Sequence, residues 1–96
     1  MNAPVTIAGI TFDHVHYDAV GDVLYLNVGE PGGAVDYDDT PEGHNVGWNA
    51  AGEVVAIALL HPRWEIETHG KVEITISVPR HVDVDAATLD QALIAA

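Results

Sequence analysis

Residues 16–28 read HYDAVGDVLYLNV, in which apolar and polar side chains alternate on both sides of a short acidic turn. In an extended chain, successive side chains point to opposite faces, so this alternation predicts two strands. The turn, Asp18 to Asp22, contains Gly21, which tolerates the left-handed backbone conformation that a short hairpin loop requires. The return strand, Val23 to Val28, is apolar on both sides, and this pattern predicts a central strand of an antiparallel sheet.

The same two-residue period runs through most of the chain. Proline and glycine interrupt it at several points, and Pro62 and Pro79 are predicted to end strands. Residues 64–68 fit either a turn or a short strand, and His69-Gly70 predicts a further hairpin turn. The remaining predicted strands are Ile7–Phe12, Ala34–Asp38, Asn45–Asn49, Glu53–His61 and Lys71–Val78.

The period changes near the C-terminal end of the sequence. Asp85 is a favourable N-cap, and the residues from Ala86 onward are good helix formers. The apolar residues of this segment recur at i, i+3, i+4 and i+7, which places them on one face of a helix. They are Leu89, Ala92, Leu93 and Ala96. Because a helix of about 11 residues is marginal in water, its stability must come from packing on a sheet.

The fold class predicted from these patterns is α+β: a small antiparallel β-meander of about five or six strands with one C-terminal helix packed on the sheet. Residues 1–96 form a single domain, with a β core over 14–60 and further strands and the helix over 61–96. Ala56 and Ala58 share one face of a predicted strand and allow close packing, either by the helix or by a second subunit. Because so short a chain has a thin core, we expect a homodimer.

Acidic residues dominate the charge of the chain. Its formal net charge is −12, and residues 1–62 contain nine Asp and Glu but no Lys or Arg. Such a surface repels nucleic-acid phosphates and attracts a basic protein partner; the other interpretation is that the charge serves solubility. The chain has no cysteine and no apolar run of about 18 residues, so we expect a cytoplasmic protein without a membrane span.

Two tryptophans and a group of aspartates are the candidate partner-binding residues. Tryptophan is enriched at binding hot spots, and Trp48 and Trp64 are therefore candidate anchors, although both could simply fill a thin core. The densest acidic cluster is Asp36, Asp38 and Asp39. With Glu42 these residues offer oxygen ligands for a hard cation, but a solvated acidic loop is the favoured interpretation.

His14, His16 and Asp18 form the candidate metal site. Residues two apart on a strand point the same way, so both imidazoles could face one ion with the carboxylate beside them. The spacing specifies no further ligand, and histidines on a strand that faces solvent are more often plain surface residues.

The ingredients of an enzyme active site are few. Asp18 and Asp22 could act as an acid–base pair, but aspartates beside a turn more often bind the backbone amides of that turn. No serine or threonine lies in a nucleophile-elbow context, and no glycine-rich loop precedes a helix. We therefore expect a protein that is not an enzyme and that needs no cofactor.

The hairpin also carries a family resemblance. Tyr17-Asp18, three residues, Asp22-x-Leu24-Tyr25 and later Gly52-x-Val54-Val55-x-Ile57 resemble a family of small bacterial domains of unknown function, over roughly residues 14 to 60. The family's usual Gly and Glu around that isoleucine are Ala56 and Ala58 here. Some relatives are encoded beside small toxin-like proteins, which implies an antitoxin or immunity role. The leading prediction is a non-catalytic protein-interaction module that neutralises a basic partner; the alternative is a metal- or small-ligand-binding protein.

Overall fold

A computed structural model describes residues 4–30, 32–77 and 80–94 and shows a small α+β fold, as predicted. This part of the chain contains nine strands, all paired antiparallel, and two short helices. In chain order the elements are β1 Val5–Ile7, β2 Ile10–Phe12, β3 His14–Asp18, β4 Val23–Asn27, β5 Asp36–Asp39, β6 Asn45–Trp48, β7 Val54–Leu60, α1 Pro62–His69, β8 Lys71–Ser77, β9 Arg80–Asp85 and α2 Ala86–Ile94.

A five-stranded sheet in the order β3-β4-β7-β6-β5 forms the centre of the molecule. The predicted hairpin is confirmed, since β3 and β4 pair around the Asp18–Asp22 turn with His16 opposite Tyr25. The prediction of a central strand is confirmed as well, because β4 also pairs with β7 along its other edge. Leu24 and Leu26 of β4 are fully buried on the inner face of this sheet.

The prediction of one strand over Ile7–Phe12 is wrong, because the segment folds back on itself. Ala8 and Gly9 both have positive φ, 56° and 80°, and join β1 to β2 as a two-residue hairpin. Two consecutive positive φ values are typical of the turn whose twist matches that of paired strands. The apolar run conceals the reversal because Ala8 is rarely found at such a position.

The segment after Pro62 is a helix, so neither the turn nor the short strand considered for residues 64–68 is correct. Pro62 begins α1, where its missing N–H costs no hydrogen bond, and Gly70 ends it with φ 79°. Gly70 is therefore the C-cap of a helix rather than part of a hairpin turn. Trp64 and Ile66 are two residues apart, and this spacing mimics a strand in the sequence.

A further correction concerns residues 80–85, for which the sequence patterns assign no element. They form β9, which pairs with β8 as a separate two-stranded sheet. Three inward residues of the predicted strand β8 are buried, namely Val72, Ile74 and Ile76. Val78 and Pro79, predicted as the end of that strand, lie outside the described residues.

The C-terminal helix is confirmed together with its cap. Asp85 Oδ1 accepts a hydrogen bond of 2.9 Å from the backbone N–H of Thr88, which satisfies one of the free amides at the helix start. Leu89, Ala92 and Leu93 are buried, and α2 packs against β1, β3 and β9. Ala96, the last position predicted for this face, lies outside the described residues.

One face of the central sheet is partly exposed to solvent among the described residues. It carries Tyr25 of β4, Ala56 and Ala58 of β7 and Tyr37 of β5; the two tyrosines are 43% and 54% exposed. We call this side of the five-stranded sheet the outer face. The main contacts of the helices lie elsewhere, since α1 packs against β8 and α2 against β1, β3 and β9. Of the two occupants considered for the alanine face, the described contacts therefore favour a second subunit over the helix.

Candidate partner-binding site

Strand pairing brings one of the candidate tryptophans beside the acidic cluster. Asp36 lies opposite Trp48 and Asp38 lies opposite Val46 where β5 pairs with β6. Paired residues in an antiparallel sheet project to the same side, so both carboxylates lie on the side of Trp48. Asp39 alternates to the other side, together with Tyr37.

Trp48 is half-buried and lines a pocket of about 270 Å³, which we call the Trp48 pocket. Sites for small molecules usually enclose about 300–1,000 Å³, so this one suits a single side chain rather than a whole ligand. Apolar side chains from β6 and β8 form one part of its wall, and carboxylates from β5 form another. The lining residues are Asp38, Asp39, Thr40, Pro41, Val46, Trp48, Thr75 and Ile76.

The carboxylates of β5 have local hydrogen bonds but no counter-ion among the described side chains. Asp38 Oδ1 accepts a hydrogen bond of 2.9 Å from the amide of Asp39, and Asp39 Oδ1 accepts one of 3.2 Å from Asn45 Nδ2. Among the side chains that the structure describes, no Lys, Arg or His nitrogen lies within 4.0 Å of a carboxylate oxygen of β5. Within this set, the three carboxylates of β5 are not paired with a cation.

The described basic side chains are engaged elsewhere in the fold. Arg63 donates from its Nη2 to the carbonyl of Leu93 at 2.7 Å and lies over the ring of Tyr17, 5.5 Å from its centroid. Lys71 Nζ lies 3.1 Å from Asp83 Oδ2. Neither of these two side chains neutralises β5.

The structure separates Trp64 from the other predicted partner-binding residues. Trp64 lies on α1, is 54% exposed, and makes an edge-to-face contact with His69 at 5.6 Å. It does not line the Trp48 pocket. The five candidates thus divide into a cluster on β5 and β6 and an isolated aromatic residue on α1.

The predicted metal residues lie together on the outer face, but two of them already have other contacts. His14 and His16 are exposed on β3, and the ring of His16 stacks on Tyr25 with centroids 6.0 Å apart. Asp18 Oδ1 accepts hydrogen bonds from the amides of Val20 and Gly21, which supports the turn interpretation of this residue. A metal site at His14, His16 and Asp18 stays a prediction.

Asp22 has a structural function that the sequence analysis missed. Its carboxylate accepts hydrogen bonds from the amides of Arg63 and Trp64, both at 3.2 Å, and from the hydroxyl of Tyr17 at 2.7 Å. The N-cap position of α1 is His61, whose side chain makes no capping hydrogen bond. Asp22 thus caps a helix that begins 40 residues later in the sequence, in place of binding its own turn.

These contacts explain the Tyr-Asp-x3-Asp motif in physical terms. Tyr17 holds the carboxylate of Asp22 by a hydrogen bond, Asp18 closes the turn, and Asp22 fixes the start of α1. Each of the three side chains has a structural partner, and the geometry requires no catalytic chemistry from any of them. The Asp18–Asp22 pair therefore connects the hairpin to α1.

Glu42 lies beside the Trp48 pocket rather than with the aspartates of β5. Its carboxylate accepts hydrogen bonds from Thr75, 2.8 Å from the backbone N–H and 2.7 Å from the hydroxyl. Partial burial opposes ionisation, but the hydrogen bonds from Thr75 and Thr40 prevail and lower the pKa of Glu42 to about 2. Sequence reasoning grouped Glu42 with β5 because the position of β8 beside this loop is set only by the tertiary fold.

Comparisons of the chain with protein-family models, with curated proteins and with solved structures gave no match. The resemblance to a family of small bacterial domains therefore stays a prediction. Within the described ranges, neither helix is long and apolar enough to cross a membrane.

Proposed function

We propose that this protein is a non-catalytic protein-interaction module that binds a basic partner by accepting a lysine or arginine side chain in the Trp48 pocket. The observation that carries the proposal is the position of Trp48 beside the carboxylates of β5. An aromatic face and a carboxylate next to it together form a receptor for one cationic side chain. The proposal includes a cytoplasmic location, which the absence of cysteine favours.

Both parts of the pocket contribute favourable energy to such a contact. A cation over a tryptophan ring gains about 0.5–1 kcal/mol at an exposed site and about 2 kcal/mol when it is desolvated. Asp38 on the pocket wall and Asp36 beside it add ion pairing, which is modest at an exposed site but sensitive to charge and geometry. One such anchor is weak by itself, so a partner needs further contacts around it.

The net charge of the chain favours the encounter with such a partner. A net charge of −12 attracts a basic protein over a distance comparable to the Debye length and accelerates association at low ionic strength. The same charge repels a second copy that approaches along β5. The acidic edge thus selects a partner of opposite sign and also prevents edge-to-edge aggregation. A neutraliser of a small basic toxin-like protein is one role of this kind.

The outer face supports a second contact, with a copy of this chain. Ala56 and Ala58 form a low area on this face between Tyr25 and Tyr37, whereas Gly47 is already covered by the ring of Tyr37. We assign the proposed homodimer to this surface, because the tyrosines of one copy would fit over the small residues of the other. Self-association of this kind leaves the Trp48 pocket, on the opposite side of the sheet, free for the partner.

A peptide experiment tests the Trp48 pocket directly. The probe is a short peptide of alternating lysine and serine with capped termini, and the control peptide carries acetyl-lysine, which has no charge. In a Trp64→Phe background, Trp48 is the remaining tryptophan, and its fluorescence reports on the pocket. We expect the lysine peptide, and not the acetylated one, to change this fluorescence, and we expect the effect to weaken from about 0.05 to about 0.5 M salt.

Paired charge variants then locate the binding site. The test variant is Asp36→Asn/Asp38→Asn, and the matched control is Glu30→Gln/Asp90→Asn, which removes the same charge from other exposed positions. The proposal predicts that the test variant binds the lysine peptide clearly more weakly than the control variant does. If both variants bound the lysine peptide equally more weakly than the wild type, the charge would act only through the long-range field. If the affinity for this peptide did not change with salt concentration, the electrostatic argument would be wrong.

A further inference from the structure

The exposed side of the β8–β9 hairpin gathers a histidine and two carboxylates around one point. Glu73 lies directly opposite Asp83, and Thr75 lies opposite His81. The two pairs are two residues apart along each strand, so all four side chains project to the same side of the hairpin. His81 Nε2 is 3.2 Å from Glu73 Oε1 and 3.2 Å from Asp83 Oδ1. All three side chains are exposed, and within the described ranges they form the one group of three ligand atoms that lie within 4.8 Å of each other.

We propose that Glu73, His81 and Asp83 bind a divalent transition-metal ion of the Zn²⁺ type. Zinc takes imidazole nitrogen and carboxylate oxygen at about 2.0–2.2 Å, usually in a tetrahedron. In such a tetrahedron, two ligand atoms are about 3.3–3.6 Å apart for these bond lengths. The two observed N···O separations of 3.2 Å are close to this distance, and the two carboxylate oxygens lie within 4.8 Å of each other, so side-chain movements can bring all three atoms to one ion.

Glu42 provides a second observation that points to a metal. Its Oε2 lies 3.3 Å from His81 Nδ1, on the side of the ring away from Glu73 and Asp83. A histidine that binds a metal usually donates its other N–H to a carboxylate, which fixes the tautomer and the ring orientation. Glu42 is itself fixed by the amide and the hydroxyl of Thr75. The Thr75 hydroxyl is also 3.5 Å from His81 Nδ1. The chain therefore places a fixed carboxylate and a hydroxyl beside the ring nitrogen that the metal would leave free.

The simpler interpretation is a protonated His81 that forms ion pairs with Glu42, Glu73 and Asp83. Desolvation disfavours the protonated ring, but hydrogen bonds to Glu73 and Asp83 outweigh it and raise the pKa of His81. A proton and a metal ion therefore compete for Nε2. The ammonium group of Lys71 lies 3.1 Å from Asp83 Oδ2 and would repel a metal ion nearby. The proposed ligand atom is the other oxygen of Asp83, Oδ1, which Lys71 does not contact. Competition with zinc distinguishes the two interpretations.

This site is independent of the proposed partner contact. The Trp48 pocket contains none of the three ligands, although Thr75, which holds Glu42, forms part of its wall. It also differs from the His14/His16 site predicted from the sequence, which lies on β3. Variants at His81, at His14 and His16, and in the Trp48 pocket can therefore be tested separately.

The experiment is a titration of the purified metal-free chain with zinc chloride, followed by calorimetry and by the imidazole C–H resonances in NMR. The variants are His81→Gln, Glu42→Gln and, as the matched control, His14→Gln/His16→Gln, each checked for native circular dichroism. We expect one Zn²⁺ per chain in the wild type and in the control, with a shift of the His81 resonances. We expect no measurable site in His81→Gln and a loss of affinity of about 10–100-fold in Glu42→Gln.

The other outcomes would overturn either the metal site or the role that the proposal gives to Glu42. Binding that survives His81→Gln but disappears in His14→Gln/His16→Gln would place the metal on β3. If zinc produced no heat change with the wild-type chain and no shift of the His81 resonances, the cluster would be a group of ion pairs and not a metal site. Unchanged affinity in Glu42→Gln would remove the positioning role of Glu42.

Discussion

Asp22 offers the sharpest test of how this fold is held together. Its carboxylate accepts hydrogen bonds from the amides of Arg63 and Trp64 and from Tyr17 Oη, and so it links the β3–β4 turn to the first turn of α1. The backbone of Asp22 has φ 52°, a conformation that asparagine tolerates at least as well as aspartate does. Asp22→Asn therefore removes the charge and one acceptor without adding backbone strain.

The expected loss follows from the contacts removed. Deletion of an N-cap interaction costs about 0.5–2 kcal/mol, and loss of a negative charge beside a helix N-terminus costs about 0.3–1 kcal/mol. A hydrogen bond to a charged acceptor, here from Tyr17, is worth about 1.5–3 kcal/mol. Because asparagine keeps one oxygen acceptor, only part of this sum is lost, and we expect destabilisation by about 2 kcal/mol. For a domain of this size, that lowers Tm by about 8–16 °C.

The assay is thermal and urea unfolding followed by circular dichroism, with Asp36→Asn as the matched control. Asp36 is an exposed aspartate on the edge strand β5, so the same chemical change there should leave Tm within about 2 °C, as for most surface substitutions. If Asp22→Asn were as stable as the Asp36→Asn control, the long-range cap would contribute nothing, and α1 would have to be held by packing alone.

Three further predictions concern other parts of the fold. Gly47→Ala would place a Cβ 2.7 Å from Tyr37 Cε1 and 2.9 Å from the Cβ of Ala34. We therefore expect the free energy of unfolding, measured in urea, to fall by about 1–3 kcal/mol. The control is Gly33→Ala, which should be nearly neutral because its new Cβ would be 3.8 Å from the nearest atom. The amide of Gly29 donates a 2.7 Å hydrogen bond to Asp13 and lowers the pKa of that carboxyl, so its contribution to stability is present above pH 4 to 5 and is lost as the pH falls through the folded-state pKa. Asp13→Asn should therefore show a smaller acid-induced drop in Tm than the wild type, and equal drops would contradict this. Ala58→Glu should convert the proposed homodimer to a monomer in sedimentation velocity; a wild-type monomer at micromolar concentration would refute the dimer.

Several elements could be predicted from the sequence because their determinants are local. The β3–β4 hairpin follows from alternating side chains around an acidic, glycine-containing turn, and α2 follows from Asp85 and the spacing of its apolar residues. The helix α1 could not be predicted in this way, since its Trp64 and Ile66 repeat with the period of a strand. Its stability comes instead from Asp22 and from the packing of Ile66 on the core.

Local sequence patterns suffice to predict the fold class and the acidic surface and to select the residues of the candidate partner site. Which of those residues meet depends on tertiary packing, because the pairing of β5 with β6 brings Asp36 and Asp38 beside Trp48 and leaves Trp64 apart on α1. Likewise, pairing of β8 with β9 assembles Glu73, His81 and Asp83, none of which the sequence analysis singled out. The physical reason is that propensity and periodicity act over a few neighbouring residues. Register and long-range capping depend instead on how distant segments pack around one core.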